Sequence, residues 1–198
     1  TAAVKHTVDK QHRKNRITIL VIFAMSVIPF GIAWYLAKHP GTVRLGTNHG
    51  ELISPPLATE AGEFSGADAF SAENIGELKG HWILVNPVAG PCGEICREAL
   101  YKTNQIGLMV GKDIARIRRL ALVFDSNLPL PAEWRDDGRL LKALPAPSLQ
   151  QKLTTINPSP LPDGSLLIMD PLGNLMMKYA PGYDPYQVRD DLSKLLRI

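Results

Sequence analysis

The residues best suited to chemistry in this chain are Cys92 and Cys96, the only two cysteines among 198 residues. They stand four positions apart, which is close to one turn of an α-helix. If Pro91 and Gly93 mark a helix start, both sulfurs lie on one helix face, with Cys92 near the unpaired N–H groups that stabilise a thiolate. Such a pair can close a disulfide or bind a soft metal such as Cu(I).

The segment before the cysteines indicates where the fold places them. Residues 82–87 form a short apolar run rich in β-formers, followed by a tight loop over 88–91 and then the dithiol. The order strand, loop, dithiol, helix is the thioredoxin layout. The spacing exceeds the usual C-x-x-C by one residue, which favours a metal clamp over a fast redox switch. A purely structural disulfide is the alternative, but so short a loop stabilises the fold little.

A membrane anchor is predicted near the N-terminus. Residues 17–36 carry no charge, which is long enough for a helix to cross about 30 Å of hydrocarbon. Basic residues cluster before this run, so the positive-inside tendency puts residues 1–16 in the cytoplasm and the C-terminal domain in the periplasm, anchored once in a bacterial inner membrane. A cleaved signal peptide is the competing interpretation, but the run is longer than a usual signal core and lacks a convincing A-x-A site.

The charge distribution argues against nucleic-acid binding. The formal net charge is +3, and residues 1–16 alone hold five Lys or Arg residues against a single Asp. The rest of the chain is therefore close to neutral and lacks the basic footprint that a nucleic-acid-binding domain needs. Membrane lipid around the predicted anchor is therefore an expected partner, and nucleic acid is not.

Turn residues and apolar runs predict the order of elements in the exported part. We expect a linker and domain start over 37–77 and a thioredoxin-like domain over 78–198, with a Pro-rich insertion at about 125–163. A short helix is expected in this insertion near Arg135–Leu144. Before it, a helix is expected from Glu94 to about Gly111, and a second buried strand over 120–124.

The C-terminal part predicts a hairpin and a closing helix. Ser165–Met169 and Leu175–Tyr179 flank a turn-rich Asp-Pro-Leu-Gly-Asn segment, and Pro185–Leu196 has apolar residues at helical spacing. The fold class is therefore α/β, a thioredoxin-like domain with one N-terminal transmembrane helix. For the helix after the dithiol, the expected buried face comprises Ile95, Ala99, Leu100 and Leu108.

Together these features resemble the Sco/SenC family of membrane-anchored, thioredoxin-like proteins. The resemblance rests on Leu78-Lys79-Gly80-His81-Trp82, on the C-x-x-x-C at 92–96, on Asp170-Pro171-Leu172-Gly173 and on the single anchor. It implies Cu(I) binding or thiol reduction by Cys92 and Cys96, with Cys92 as attacking thiolate or first metal ligand and Cys96 as resolving thiol or second ligand. The implied partner is the terminal oxidase subunit that carries the copper centre.

One departure from the family concerns the copper ligands. Sco-type sites add a histidine shortly before the hairpin strand, whereas this chain has no histidine after His81 and reads Pro-Leu-Pro-Asp-Gly over 160–164. Two thiolates can still bind Cu(I), but Cu(II) should be held poorly. His49 and His81 are weak substitutes, since the first lies in a turn-rich segment and the second at the far end of its strand. Met176 and Met177 are expected to pack in the core.

Three functions remain open at this point. The leading hypothesis is a periplasm-facing factor for assembly of a copper-containing terminal oxidase, acting by thiol–disulfide exchange or transient Cu(I) binding. The alternative is a non-catalytic accessory subunit of a respiratory complex that uses the thioredoxin-like fold for docking. The third is a general thiol–disulfide oxidoreductase of cytochrome c maturation, a family that normally keeps C-x-x-C.

Overall fold

A computed structural model describes residues 2–38, 48–134, 137–157 and 160–197. The chain divides into two units, residues 1–47 and 48–198. The part of the predicted linker that covers residues 39–47 lies outside the described residues. The two units are described separately below.

The first unit contains one long helix, α1, Ala2–Lys38. Its segment Arg16–Leu36 has a mean hydropathy of 2.3 and is long and apolar enough to span a membrane. This segment is therefore a candidate membrane span, and it contains the uncharged run 17–36 of the sequence.

The second unit alternates strands and helices around one sheet. Its strands are β1 Glu51–Ala58, β2 Phe64–Gly66, β3 Trp82–Val88, β4 Ile117–Val123, β5 Leu140–Pro145, β6 Leu166–Met169 and β7 Asn174–Tyr179. Its helices are α2 Ala69–Asn74, α3 Glu94–Met109, α4 Pro147–Ile156 and α5 Pro185–Leu195. Short 3₁₀ segments cover 61–63, 75–78, 111–116 and 132–134.

Within the described residues the strands form one sheet in the order β1-β7-β6-β3-β4-β5-β2. β3 is central and pairs in parallel with β4 and antiparallel with β6. Every residue of β3 is buried, as expected for a strand covered on both faces. The sheet therefore places the residues that follow β3 at the carboxyl ends of the parallel strands β3 and β4.

The two faces of the sheet carry separate cores. Alternation along β3 sends Ile83 and Val85 to one face, where they pack with Leu149 and Leu153 of α4. Leu84 points to the other face, where the core comprises residues of α3 and α5 together with Leu166, Ile168 and Met177. α3 and α5 also contact each other, so the two helices pack side by side on this face of the sheet.

Several sequence-based expectations are confirmed. The strand before the dithiol, the hairpin of β6 and β7, and the closing helix α5 all form. The α/β thioredoxin-like fold class is thus confirmed. Met177 lies in the core and Met176 packs beside it, as expected.

The expected helix near Arg135–Leu144 is wrong. Among the described residues of that stretch the chain forms β5, which pairs in parallel with β4, and helix α4 begins only at Pro147. The strand was not predicted because the charged Lys142 interrupts its apolar pattern. In the structure the Lys142 side chain is buried and paired with the carboxylate of Asp68. Residues 140–156 therefore contribute a strand and a helix to the domain.

The expected buried face of α3 is half right. Ala99 and Leu100 are buried, but Ile95 and Leu108 are 59% and 52% exposed. The face that packs on the sheet is offset by about one position and includes Cys96, Thr103 and Ile106, at helical spacing. This face was not predicted because Cys96 and Thr103 are small or polar rather than large and apolar.

Candidate functional site

The dithiol lies where β3 ends and α3 begins. Cys92 and Cys96 are joined in a disulfide with a Cα–Cα separation of 5.2 Å. Gly93 is the N-cap of α3, so Cys96 lies in the first helical turn while Cys92 lies just before the helix. The two sulfurs therefore do not share a helix face as expected, because Cys92 precedes the helix, but the disulfide joins them at its start.

The two sulfurs differ in accessibility. Cys96 is only 3% exposed, whereas Cys92 is half-buried beside exposed Pro91 and Gly93. A partner can therefore approach Cys92 more readily than Cys96. The position of Cys96 in the first turn of α3 also matters, because N–H groups at a helix N-terminus stabilise a thiolate. Glu94 lies exposed in the same turn, where an acidic residue interacts favourably with the helix dipole.

A second loop supports the dithiol from the side. Asp163 accepts a hydrogen bond from the Ala89 N–H at 3.0 Å, which ties the turn before β6 to the loop after β3. Next to it, Gly164 has a φ of +86°, and a Cβ there would lie 2.5 Å from Cγ2 of Ile95. Only glycine combines this backbone conformation with so close an approach. The turn at Asp163 and Gly164 therefore packs against α3, the helix that carries Cys96.

Buried polar side chains fix α3 on the sheet. Asn86 of β3 accepts a hydrogen bond from the Thr103 hydroxyl at 3.0 Å and donates to the carbonyl of Ser165 at 3.3 Å. The Tyr183 hydroxyl donates to the carbonyl of Ala99 at 3.2 Å. Burial raises the pKa of Tyr183, so this hydroxyl stays protonated and remains a donor. These bonds hold the helix that carries Cys96 at a fixed position against β3.

The histidines considered as substitute ligands lie elsewhere. His81 precedes β3, while the dithiol follows the other end of that strand, and its Nδ1 lies 2.9 Å from the carbonyl oxygen of Glu77. His49 is held by its backbone N–H, which donates to Asp191 on α5 at 2.7 Å. Among the described residues, no group of three or more His, Cys, Asp or Glu side chains could hold a metal ion.

Sequence reasoning identified the dithiol but missed the residues that support it. Asn86 gave a usable signal, since it is a single polar residue inside an otherwise apolar strand. Asp163 and Gly164 gave none, because their partners are remote in sequence.

Comparison with known proteins supports this description of the fold. Residues 82–198 match the family described as "Transmembrane-like, thioredoxin-like, C-terminal domain". No curated protein matches the sequence significantly. A solved structure of a SCO1/SenC family lipoprotein from Bacillus anthracis is 14% identical, with a TM-score of 0.53 over 73% of this chain and 99% of the other. The resemblance to Sco/SenC proteins is thus confirmed at the level of the fold.

Two further solved structures are similar with lower TM-scores. Yeast Sco1 with copper bound is 16% identical over 61% of this chain and 80% of its own, with a TM-score of 0.49. The thioredoxin domain of a thiol-disulfide oxidoreductase from Bacteroides vulgatus is 15% identical over 61% of this chain and 82% of its own, with a TM-score of 0.40.

Proposed function

The chain belongs to the transmembrane-like, thioredoxin-like C-terminal domain family, and from this premise we propose that it is a membrane-anchored factor acting through Cys92 and Cys96. In the proposed function the pair exchanges disulfides with a partner protein and, once reduced, carries Cu(I) in transit. The observation that supports this most directly is the disulfide itself, with one accessible and one buried sulfur at a helix N-terminus.

The exchange reaction follows from this asymmetry. A partner thiolate attacks Sγ of Cys92, the bond between the two sulfurs breaks, and Cys96 leaves as a thiolate at the start of α3. A second partner thiolate then attacks the mixed disulfide and releases Cys92. The partner is oxidised and the pair is reduced. The reverse sequence, starting from the reduced pair, reduces a disulfide in the partner.

Copper enters the proposal as cargo of the reduced pair. Two thiolates are soft ligands that suit Cu(I) in near-linear geometry, whereas the Asp163 carboxylate is a hard ligand that suits it poorly. The closed disulfide presents no thiolate, so reduction must precede copper binding. Without a histidine in the supporting loop, Cu(II) binding should be weak.

A more specific proposal concerns the cellular location of the domain and its partner protein. We place the domain in the periplasm of a bacterial inner membrane, because the basic residues precede the candidate span. The proposed partner is the subunit of a terminal oxidase that carries the copper centre, and the proposed role is assembly of that centre.

Genetic complementation tests the role of the thiols. We expect the full chain with Cys92→Ser and Cys96→Ser to fail to restore oxidase activity in a strain that lacks this protein. Ala89→Ser, an exposed position in the same loop, serves as the matched control and should restore it fully. Full restoration by the double variant would contradict a thiol mechanism.

A Cu(I) competition titration against a chromophoric chelator tests the cargo. The reduced full chain should bind one equivalent tightly, and the double Cys→Ser variant should bind none above background. Equal binding by both would remove copper from the proposal and leave thiol exchange, which a mixed-disulfide trap with Cys96→Ser tests independently.

The accessory-subunit alternative is favoured by one observation. The loop that would carry the family's histidine has no room for a side chain at Gly164, since a Cβ there would meet Ile95. A chain that has lost its copper ligand could persist as a docking module. Stoichiometric co-purification with the assembled oxidase would favour the subunit, and its loss after assembly would favour the factor.

A further inference from the structure

A cavity of about 340 Å³ lies at the end of the domain opposite to the dithiol. Its walls come from the second half of α3, the 3₁₀ segment after it, the start of β4 and the loop before β5. The lining residues used below are Asn104, Gly107, Leu108, Ile117, Arg119 and Arg139. The volume falls at the lower end of the range of roughly 300–1,000 Å³ that small-molecule sites occupy.

Gly107 keeps this cavity open. It lies in the interior of α3 on the buried face, where glycine lowers helix stability relative to alanine. A Cβ at this position would have no heavy atom within 4 Å, so packing does not require a glycine here. Gly107 therefore weakens α3 without being needed for close packing, and its missing side chain leaves space between α3 and β4.

Arg119 supplies a buried positive charge to the cavity. The residue is 6% exposed, and its Nη2 donates to both carboxylate oxygens of Asp137 at 2.8 and 2.6 Å. Among the described residues, the Nε–H and Nη1–H groups of Arg119 have no hydrogen-bond acceptor. Every fully buried side-chain nitrogen in the described part of the chain has a partner, so these two groups are not fully buried. These two groups therefore reach accessible space, and the cavity is the space that Arg119 lines.

Two more donors line the same cavity. Within the described part of the chain, neither the Arg139 guanidinium nor the Asn104 carboxamide has a hydrogen-bond or ion-pair partner. The one acidic lining residue, Glu77, is already paired with Arg118. The cavity thus has unused donors and, on the Arg139 guanidinium, a positive charge without an ion-pair partner among the described residues, while Leu108 and Ile117 add apolar surface.

We propose that this cavity binds a small organic anion with a carboxylate or phosphate group. The guanidinium groups of Arg119 and Arg139 bind the oxyanion, whose planar or tetrahedral oxygens match their N–H groups. The apolar walls contact the body of the molecule.

This site is distinct from the proposed thiol chemistry. Arg119 pairs with Leu84 in the register of β3 and β4, whereas the dithiol follows Val88. Four residues of strand separate Leu84 and Val88, a distance of about 13 Å. Loss of anion binding therefore leaves disulfide exchange intact, and the two proposals can fail independently.

Calorimetric titration of the full chain in detergent tests the site. The probes are phenyl phosphate and benzoate. Inorganic phosphate, which lacks the ring, and phenol, which lacks the oxyanion, are the control compounds. We expect one of the organic anions to bind at least about tenfold more tightly than inorganic phosphate or phenol. Absence of binding by both organic anions, or equal binding by inorganic phosphate, would overturn the proposal.

Three variants tie the binding to the cavity. Gly107→Leu fills the space and should abolish binding, while Arg139→Gln removes an exposed charge and should weaken it about tenfold. Arg97→Gln, at an exposed position in the first half of α3, is the control and should bind as the natural chain does. If Gly107→Leu does not fold, the comparison of Arg139→Gln with Arg97→Gln still decides, because equal affinities would refute the site.

Discussion

Two regions of the domain use polar side chains in opposite ways. Around the dithiol, the supporting contacts are single hydrogen bonds and a glycine contact: Asp163 to the Ala89 N–H, Thr103 to Asn86, and Gly164 against Ile95. Elsewhere, buried charges are paired or multiply hydrogen-bonded, as with Lys142 and Asp68 or with Asp191. Breaking a buried charge pair should therefore cost the domain the most stability, whereas losing a single hydrogen bond at the dithiol should cost it the least.

The strongest test of this contrast is Asp68→Asn. Lys142 is 1% exposed and its Nζ lies 3.1 Å from Asp68. Asparagine can still accept the hydrogen bond from the Ser71 N–H that caps α2, but it leaves the buried ammonium group unpaired. We expect the free energy of unfolding to fall by about 3–5 kcal/mol in urea titrations followed by tryptophan fluorescence.

The double variant Asp68→Asn with Lys142→Met is the control for this prediction. Because it removes both charges, it should recover most of the lost stability. A double variant as unstable as the single one would show that the charge pair is not what the strand β5 depends on.

Gly164→Ala tests the dithiol side of the comparison. Alanine there must adopt a left-handed backbone and also meet Cγ2 of Ile95 at 2.5 Å. Gly182 has a similar φ of +82° with no heavy atom within 4 Å of an added Cβ, so Gly182→Ala is the matched control. We expect a loss of about 1–2 kcal/mol for the control and about 3 kcal/mol for Gly164→Ala. Equal losses would mean that the Ile95 contact has no energetic weight.

Asp191→Asn tests a buried charge through the pH dependence of the free energy of unfolding. Burial alone would raise the pKa of Asp191, but hydrogen bonds from the Gly50 N–H, Lys194, Tyr179 and the His49 N–H outweigh it and lower the pKa. Stability from this lowered pKa is present above the unfolded pKa of about 3.9 and is lost as pH falls through the folded pKa. The natural chain should therefore exceed the variant by about 2 kcal/mol at neutral pH, and the gap should shrink below about pH 4.

Asp190→Asn provides the neighbouring control. Asp190 is exposed and pairs with Arg189 on the surface, so its replacement should change stability by less than about 1 kcal/mol. A gap between the natural chain and Asp191→Asn that persists unchanged at low pH would contradict the role of the carboxylate charge.

The same contrast explains how much of the fold could be predicted. β3 and the β6–β7 hairpin were recognisable because their apolar runs and intervening turn are local signals. β5 was not, because Lys142 interrupts the apolar pattern and its partner Asp68 is remote in sequence. β4 likewise begins earlier than its apolar run, at Ile117, and includes Arg119, whose charge is paired with Asp137.

The candidate site also has a part that the sequence predicts and a part that it does not. The dithiol could be located from the spacing of Cys92 and Cys96 and from the strand before them. The contacts that position it could not, since Asp163 is 74 residues from Ala89. A residue's type predicts chemistry, but only the tertiary fold determines which remote loop supports it.

The smallest expected effect is that of Asp163→Ala. This change removes the acceptor of the Ala89 N–H, and because the loop lies partly in water, that N–H can find a solvent partner. We expect a loss of about 1 kcal/mol, and less for Asp163→Asn, whose carboxamide oxygen can still accept the bond. Urea titrations of both variants beside the natural chain measure the difference. A loss as large as that of Asp68→Asn would break the comparison, since a single hydrogen bond at the dithiol would then match a buried charge pair. A loss near 1 kcal/mol, together with an altered rate of reaction between the disulfide and a small thiol, would instead show that this bond serves the geometry of the site more than the stability of the domain.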